Sequence, residues 1–596
     1  MMRKIDITDA DVCVAGGGMA GLCAALAAAR SGCKTVLVQD RPVLGGNASS
    51  EIRVHITGAD CHGGKPGWRE TGIIEEIRLE NIRRNPQENY WLWDMILWEF
   101  ASNEPNLRLL LNTSTFEAGT QGSRIAWARG LQLGSECIYT IKARFYIDCT
   151  GDGTLGAEAG AEFRIGREAR AEFNESLAPD QADSGTMGHT TPFTAEDARA
   201  PVQFVPPAWA CRFTDERQLS HRYGHDAVKR GFWWIELGGQ NGRHIIHDTP
   251  AITEDLWKAT VGVWDHIKNH GDHAGATWDL KEVARIPGKR ESRRFVGDYI
   301  LSQKDLDPAA VHDDEVAFGG WPSDLHNVDG FWNPAPAAIF HGIDGVYGIP
   351  LRTLYSRNIE NLFFAGRNHS ATHVAMGSSR VMGTCSVMGQ AAGTAAAVCA
   401  GKNCTPREAA SKHIREIQQK LLRDGAFLPH YASHDSADIA RHAAISASSS
   451  TPDCPPEKVI DRIARDIPKG ERHAWESDPV AGLPAHLELA WQTPRRIREI
   501  RLTWDSMLQK ELTMCWYPPD PTRRLAQTPG TLARDYRIEA WLDGSWQPLA
   551  EIRDNHQRLR VHAIDVETAK IRIVVDRNWC AASARIYEVR CYGEGR

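Results

Sequence analysis

Thirty residues, Asp11 to Asp40, constrain this chain more than any other stretch. Asp11-Val-Cys-Val-Ala15 is a short apolar run, and Gly16-Gly-Gly-Met-Ala-Gly21 follows at once. Leu22 to Arg30 has an Ala/Leu helix pattern, Ser31-Gly32 ends it, and Thr35-Val-Leu-Val38 reads as a second strand. Asp40 stands 19 residues after Gly21. Strand, glycine turn, helix, strand and acid at this spacing form a dinucleotide-binding fingerprint. Gly16 permits the tight turn, and Gly18 lets the backbone approach a pyrophosphate seated on the helix N-terminus. Met19 and Ala20 stand within the glycine turn. Gly21 allows close packing of helix on strand, and Asp40 can accept a bond from a ribose hydroxyl. The glycine pattern alone is weak; in this context it is specific.

The grammar then changes along the chain. Trp91 to Ala101 reads as a helix and Leu107 to Leu111 as a strand. Phe145-Tyr-Ile-Asp-Cys-Thr-Gly-Asp-Gly153 is a strand running into a glycine turn. Residues 161–345 are rich in His, Trp, Pro and Gly, with one expected helix at Asp255 to Asn269, and read as an inserted substrate domain. Residues 346–425 return to the first pattern: a strand and turn at Asn361 to Gly366, a small-residue helix from Thr384 to Ala400, and an amphipathic helix from Thr405 to Arg423. From 437 to 596 short alternating strands take over, best at Leu487–Trp491, Ile497–Trp504, Tyr536–Leu542, Ile571–Val575 and Ile586–Cys591, with a turn at Asp543-Gly544. The expected architecture is therefore an α/β Rossmann-like dinucleotide domain (1–160 and 346–425) with an inserted α+β substrate domain (161–345) and a C-terminal all-β sandwich (437–596). The proline-rich stretch Cys515 to Gln527 reads as a long loop.

Composition narrows the function classes. At 42% hydrophobic and 24% charged residues, the chain is neither disordered nor fibrous. A net charge of -7 argues against a nucleic-acid or anionic-membrane partner, which needs a basic surface. No run of 18 uncharged apolar residues exists, so no membrane span is expected. The 14 cysteines contain no CxxC pair, which speaks against zinc ribbons and thioredoxin-type sites, and no metal site is expected. A cytoplasmic location with reduced thiols is expected. The 20 tryptophans fit core filling or aromatic platforms for a flat or sugar-like ligand.

Gln39-Asp-Arg-Pro-Val-Leu-Gly-Gly-Asn47, with an acid at a strand end before Gly45-Gly46, resembles flavoproteins of the glutathione-reductase-like FAD fold. Asp148-Cys-Thr-Gly-Asp-Gly153 resembles the second FAD-contact strand of that fold, and Asn361-Leu-Phe-Phe-Ala-Gly-Arg367 the third, with Arg367 where many members carry an acid. Ala371-Thr-His-Val-Ala-Met-Gly-Ser-Ser-Arg-Val-Met-Gly-Thr-Cys385, Gly389-Gln-Ala-Ala-Gly393, Gly288-Lys-Arg-Glu-Ser-Arg-Arg294 and Trp321-Pro-Ser-Asp-Leu-His326 resemble the subfamily called FAD-dependent oxidoreductases. Residues 437–596 resemble a galactose-binding-like (discoidin) sandwich, through Trp475-Glu-Ser477, Tyr536 to Trp546 and Ile586-Tyr-Glu-Val-Arg590. The resemblance implies non-covalent FAD held by Gly16, Gly18, Met19, Ala20, Gly21, Asp40, Arg41, Gly45, Gly46, Asn47, Gly151, Asp152, Gly366, Arg367, Arg380, Val381 and Thr384. It places a helix N-terminus near Thr384 against the flavin.

No second GxGxxG unit follows, so a dedicated nicotinamide domain is missing, and Cys399 and Cys404 sit past the flavin motif as structural residues. Electrons are then expected to enter from a small-molecule substrate, of carbohydrate class, and to leave to an unidentified acceptor. Oxidising a hydroxyl needs a base, and histidine titrates near neutrality. Candidates are His326, His369 and His373, beside His55, His62 and His341; each could instead be a satisfied structural histidine. His369 and His373 would share a face if their stretch were helical. The expected reaction is oxidation of a secondary hydroxyl of a sugar or glycoside. The alternatives are reduction of an unsaturated or keto substrate with Arg290 as proton donor, and a carbohydrate-binding protein with structural FAD.

Overall fold

The computed structural model describes residues 2–219, 235–515 and 520–593, and the chain divides into two compact units. The first comprises Met1–Gly58, Glu88–Ile414 and Met514–Pro519; the second comprises Ala59–Gln87, Arg415–Thr513 and Asp520–Arg596. Part of the expected loop after Cys515, and residues 220–234 of the expected inserted domain, lie outside the described residues. No described helix is long and apolar enough to cross a membrane.

The first unit is built on a seven-stranded mixed sheet. Strands Leu107–Leu110, Thr35–Val38, Arg3–Ala15, Cys137–Asp148 and Leu362–Phe364 lie side by side and parallel. Thr113–Gln121 and Arg124–Gln132 extend the sheet antiparallel from the other end of Cys137–Asp148. Towards their carboxyl ends four of the parallel strands become uninterrupted buried apolar runs, Val12–Ala15, Val36–Val38, Phe145–Ile147 and Leu362–Phe364, as strands covered on both faces must be. Helix Met19–Arg30 buries every residue but its last. Its small side chains let helix Met382–Lys402 come unusually near. A Cβ on Gly389 would stand 2.0 Å from the Ala20 carbonyl oxygen, and one on Gly393 would stand 2.1 Å from that of Ala24. Both pairs repeat at four residues, so one ridge of glycine faces one ridge of alanine.

Between Cys137–Asp148 and Leu362–Phe364 the chain makes short antiparallel pairs, among them Phe193–Asp197 with Trp278–Val283 and Ser323–His326 with Ala338–His341. The expected helix at Asp255–Asn269 is helix Thr249–Asp265, continued by a π turn at His266–His270. Phe193, Phe213, Leu256, Val263, Trp264 and Phe331 form a separate core here. The single helix expected over Thr405–Arg423 is two, Pro406–Lys412 and Ile414–Arg423. Thr405 caps the first through a reciprocal bond with Glu408, and His413 leaves helical geometry.

The second unit carries a seven-stranded antiparallel sheet. Leu487–Trp491 and Ile497–Trp504, read as separate strands, are one 20-residue strand, Ala485–Trp504. It pairs with a second 20-residue strand, Leu559–Asn578, and the register shifts twice between Ala490 and Glu499. Bulges of this kind bend a sheet, and side chains from both halves, Leu487 and Ile573 from one, Leu502 and Val589 from the other, share one core. Asp543-Gly544 closes the hairpin between Ala533–Leu542 and Ser545–Ile552, both residues at positive φ, as a two-residue primed turn requires. Residues 59–87 also belong to this unit. Arg69 is fully buried, with Nη2 donating to Glu75 Oε1 at 2.7 Å and to the Ser506 carbonyl at 2.9 Å. The Ser506 hydroxyl donates to Glu75 at 2.6 Å.

Candidate functional site

Four parallel strands end level with one another. Ala15 pairs with Val38 and with Asp148, and Asp148 pairs with Phe364. In open α/β sheets ligands bind beyond the carboxyl ends of such strands. Just past these four ends lie Gly16 to Gly21, Asp40 to Asn47, Gly151-Asp152 and Gly366-Arg367. The expected cofactor residues of those segments, distant in sequence, are thus brought to one edge.

Local chemistry shapes that edge. Gly16 has φ +95°, and a Cβ there would stand 2.3 Å from the Cys149 carbonyl oxygen. Gly21 is pressed against the Gly16 carbonyl, where a Cβ would stand 1.8 Å away. At Gly18 the picture reverses: the nearest atom to an added Cβ is Gly46 Cα at 3.9 Å. Gly18 caps helix Met19–Arg30 with no side-chain bond, so the first-turn amides face open space. Gly17 N–H donates to Gln39 Oε1 at 2.7 Å, and Gly18 bridges Gly45, so the two glycine turns line one trough. This trough fits a pyrophosphate. Asp40 is exposed at its strand end, while Arg41 leans on Glu51 at 3.5 Å.

Asp152 holds the next part together. Its carboxylate accepts from Lys289 at 2.6 Å, Arg367 at 2.7 Å and Ser292 at 2.9 Å. Burial alone would raise the Asp152 carboxyl, but Arg367 and Lys289 hold it far below the usual carboxylate range. Asn47 donates to the Lys289 carbonyl at 3.0 Å. Arg367 is therefore paired with an acid from the neighbouring strand end. Buried atoms without a hydrogen-bond partner, Arg367 Nε, Asn368 Oδ1 and Thr384 Oγ1, stand in these segments and suit a polar group of a bound cofactor. Helix Met382–Lys402 starts two residues before Thr384, with Val381 as an N-cap that makes no side-chain bond.

The histidines part company. His369 and His373 do not share a helix: His369 lies in the turn after Gly366, and only His373 opens a helix, His373–Ser379. His369 Nδ1 donates to the Gly366 carbonyl at 2.8 Å and Nε2 lies 2.9 Å from the Ser379 hydroxyl. Burial pushes the His369 ring down to about 4, so it is a neutral structural link. His373 Nδ1 lies 2.9 Å from Glu291 Oε2. Its backbone N–H donates to Glu168, and Thr372 donates to Glu175 at 2.6 Å. Burial would raise the Glu291 carboxyl, but His373 and Arg294 bring it below its ordinary range.

His326 sits in a second buried cluster. Its Nδ1 is 2.8 Å from Glu236 and its Nε2 3.0 Å from Asp324. Arg290 pairs with Glu236 at 2.9 Å, and Arg380 with Asp324 at 3.1 Å. Arg380, expected against the cofactor, thus belongs by its contacts to the His326 cluster. The two clusters adjoin, since Ser323 donates to the Val374 carbonyl of helix His373–Ser379 at 2.8 Å. His62 belongs to the second unit, 2.8 Å from Glu511, and Cys385 Sγ leans on the Arg380 carbonyl. Glu236, Glu291, Glu168 and Glu175 were not singled out in the sequence. Glu291 alone had a signal, inside the Gly288–Arg294 run.

Solved structures similar to part of the chain include carbohydrate-binding modules. The family 32 module of C. perfringens NanJ, solved with galactose, is 17% identical and covers 26% of this chain and 98% of its own, at a TM-score of 0.20. The family 32 module of Streptococcus pneumoniae EndoD is 13% identical, covering 26% and 99%, at 0.21. A chitosan-binding module from Paenibacillus sp. IK-5, solved with chitotriose, is 14% identical, covering 26% and 100%, at 0.20. No curated protein matches the chain. The family model described as FAD dependent oxidoreductase matches residues 11–421, the span that supplies all four strand ends and both histidine clusters, and this chain belongs to that FAD-dependent family.

Proposed function

We propose that the protein oxidises a secondary hydroxyl of a sugar or glycoside to a ketone, with His373 as the base. The observation that carries this reading is the His373–Glu291 pair. Glu291, held ionised, accepts from Nδ1–H and fixes the tautomer that leaves the Nε2 lone pair to take a hydroxyl proton. FAD, when bound, supplies the two-electron acceptor that such an oxidation requires. The neighbouring cluster of Glu236, Asp324, Arg290 and Arg380 offers buried donors and acceptors together, which suits a polyhydroxylated ligand better than a lipid. Arg290 as proton donor to a reduced substrate would first have to leave Glu236 and the Gly188 carbonyl.

The test is anaerobic mixing of the purified holoprotein with a panel of sugars and glycosides while flavin absorbance is followed. Bleaching by a sugar supports the reading. If no sugar bleaches the flavin, and an enoate or keto acid reoxidises the dye-reduced protein, the reductase reading replaces it.

A further inference from the structure

A cluster in the intervening segment of the first unit plays no part in the chemistry above. Glu216 opens the 3-10 turn Glu216–Gln218; His266 begins the π turn that ends the long helix, and His273 follows it. His266 Nε2 is 2.9 Å, and His273 Nε2 3.3 Å, from the same oxygen, Glu216 Oε2. The three candidate ligand atoms lie within 4.8 Å of one another, the single such group among the described residues. Both imidazoles are nearly closed off from solvent, 0% and 5% exposed, whereas Glu216 is 56% exposed.

The ring orientation of His266 is fixed from behind. Its Nδ1 is 2.8 Å from the Phe213 carbonyl, which can only accept, so Nδ1 carries a hydrogen. In the neutral ring the lone pair then stands on Nε2 and faces a carboxylate oxygen. A lone pair against an anionic oxygen at that distance repels unless a cation lies between them. An N–H on each ring would satisfy the arrangement, since one carboxylate oxygen accepts two hydrogen bonds; a single cation taking all three atoms as ligands would satisfy it as well. Gly271, between the two histidines, keeps the space open: a Cβ there would stand 2.1 Å from His273 Nε2 and 3.0 Å from His266 Nε2.

The geometry points to a divalent transition-metal site of the zinc class, with His266 Nε2, His273 Nε2 and a Glu216 carboxylate oxygen as ligands. Tetrahedral ligation at about 2.0–2.1 Å separates ligand atoms by roughly 3.3 Å, close to the spacing of both imidazoles from Glu216. The backbone carbonyl on the far nitrogen of His266 is the outer support that metal-bound imidazoles use. Glu216 is the adjustable ligand, and its exposure leaves the fourth position to water. Two imidazoles and a carboxylate select zinc, cobalt or nickel over magnesium or calcium. Bound there, the ion ties the 3-10 turn to the end of a helix 50 residues away. His266 and His273 are seven residues apart, a spacing that matches no standard ligand motif, so the sequence gives no warning of the site.

The experiment uses the full-length holoprotein, stripped with a chelator and titrated with zinc chloride against a chromophoric competitor. The wild type is expected to take up one equivalent that raises its melting temperature. Glu216→Gln, a change at an exposed residue, is expected to weaken that binding roughly tenfold or more, and His273→Gln likewise. Flavin absorbance serves as the folding control in each variant. The zinc absorption edge of the loaded wild type is expected to show two imidazole nitrogens and no sulfur. Zinc binding of equal affinity in wild type and Glu216→Gln, a sulfur-ligated edge, or no uptake at all would overturn the assignment.

Discussion

His373 Nδ1 and Glu291 Oε2 stand 2.9 Å apart, 82 residues from each other in sequence. The pair joins the helix after the third strand end to the Gly288–Arg294 run. Replacing His373 by Asn removes the proposed base and leaves the cofactor trough intact. Turnover is expected to fall by about 10²–10⁴-fold with flavin absorbance unchanged. Stopped-flow reduction of the bound flavin reads this directly, and an unchanged reduction rate would remove His373 from the chemistry.

Gly18→Leu puts a side chain into the trough where only Gly46 Cα now lies near. The variant is expected to fold and to purify colourless. The ratio of flavin to protein absorbance measures the loss, and a yellow Gly18→Leu protein contradicts the placement of the pyrophosphate.

Gly389→Val tests the glycine–alanine ridge. Its Cβ would stand 2.0 Å from the Ala20 backbone oxygen, which cannot swing away as a side chain can. Overpacking of this kind costs about 1–3 kcal/mol or more. Chemical denaturation is expected to show that loss, and a smaller loss for Gly401→Val, where an added Cβ meets nothing within 4 Å.

Asp60 gives a pH signature to the second unit. Burial, with Glu70 adding to it, pushes its carboxyl from 3.8 up to about 7. Between these values the folded chain holds a proton that the unfolded chain has released, so this group lowers stability as pH rises from about 4 to 7 and no further above that. Asp60→Asn lacks the penalty. Its gain over wild type is expected to be absent near pH 4 and to reach on the order of 1–4 kcal/mol at pH 8. Thermal melts of both proteins across that range check the slope, and a gain independent of pH refutes it.

The four strand ends were legible because each apolar run meets a glycine or aspartate within two residues, a local pattern. The small-residue helix was legible too, since Gly389 and Gly393 repeat at four residues, though its partner, Ala20 and Ala24, became visible only in three dimensions. The acids around the histidines carry no such pattern. Glu236 meets His326 across 90 residues, and a lone glutamate in an irregular segment looks like any solvated charge. The helical face expected for His369 and His373 failed because Gly366, at φ +105°, turns the chain, and His369 caps that turn before the helix begins. The 20-residue strands were read as shorter ones because their bulges interrupt the alternation at the bend.

Residues 59–87 carry a consequence for how the chain is born. Arg69 and Ser506 are 437 residues apart. A ribosome adding about 5–20 residues per second takes roughly 20–90 s to cover that distance. Throughout that interval helix Ile73–Arg84, with seven buried residues, has been made and its sheet has not. A stop codon ahead of residue 437 would strand that segment for good, so early termination is expected to yield aggregated rather than shortened enzyme.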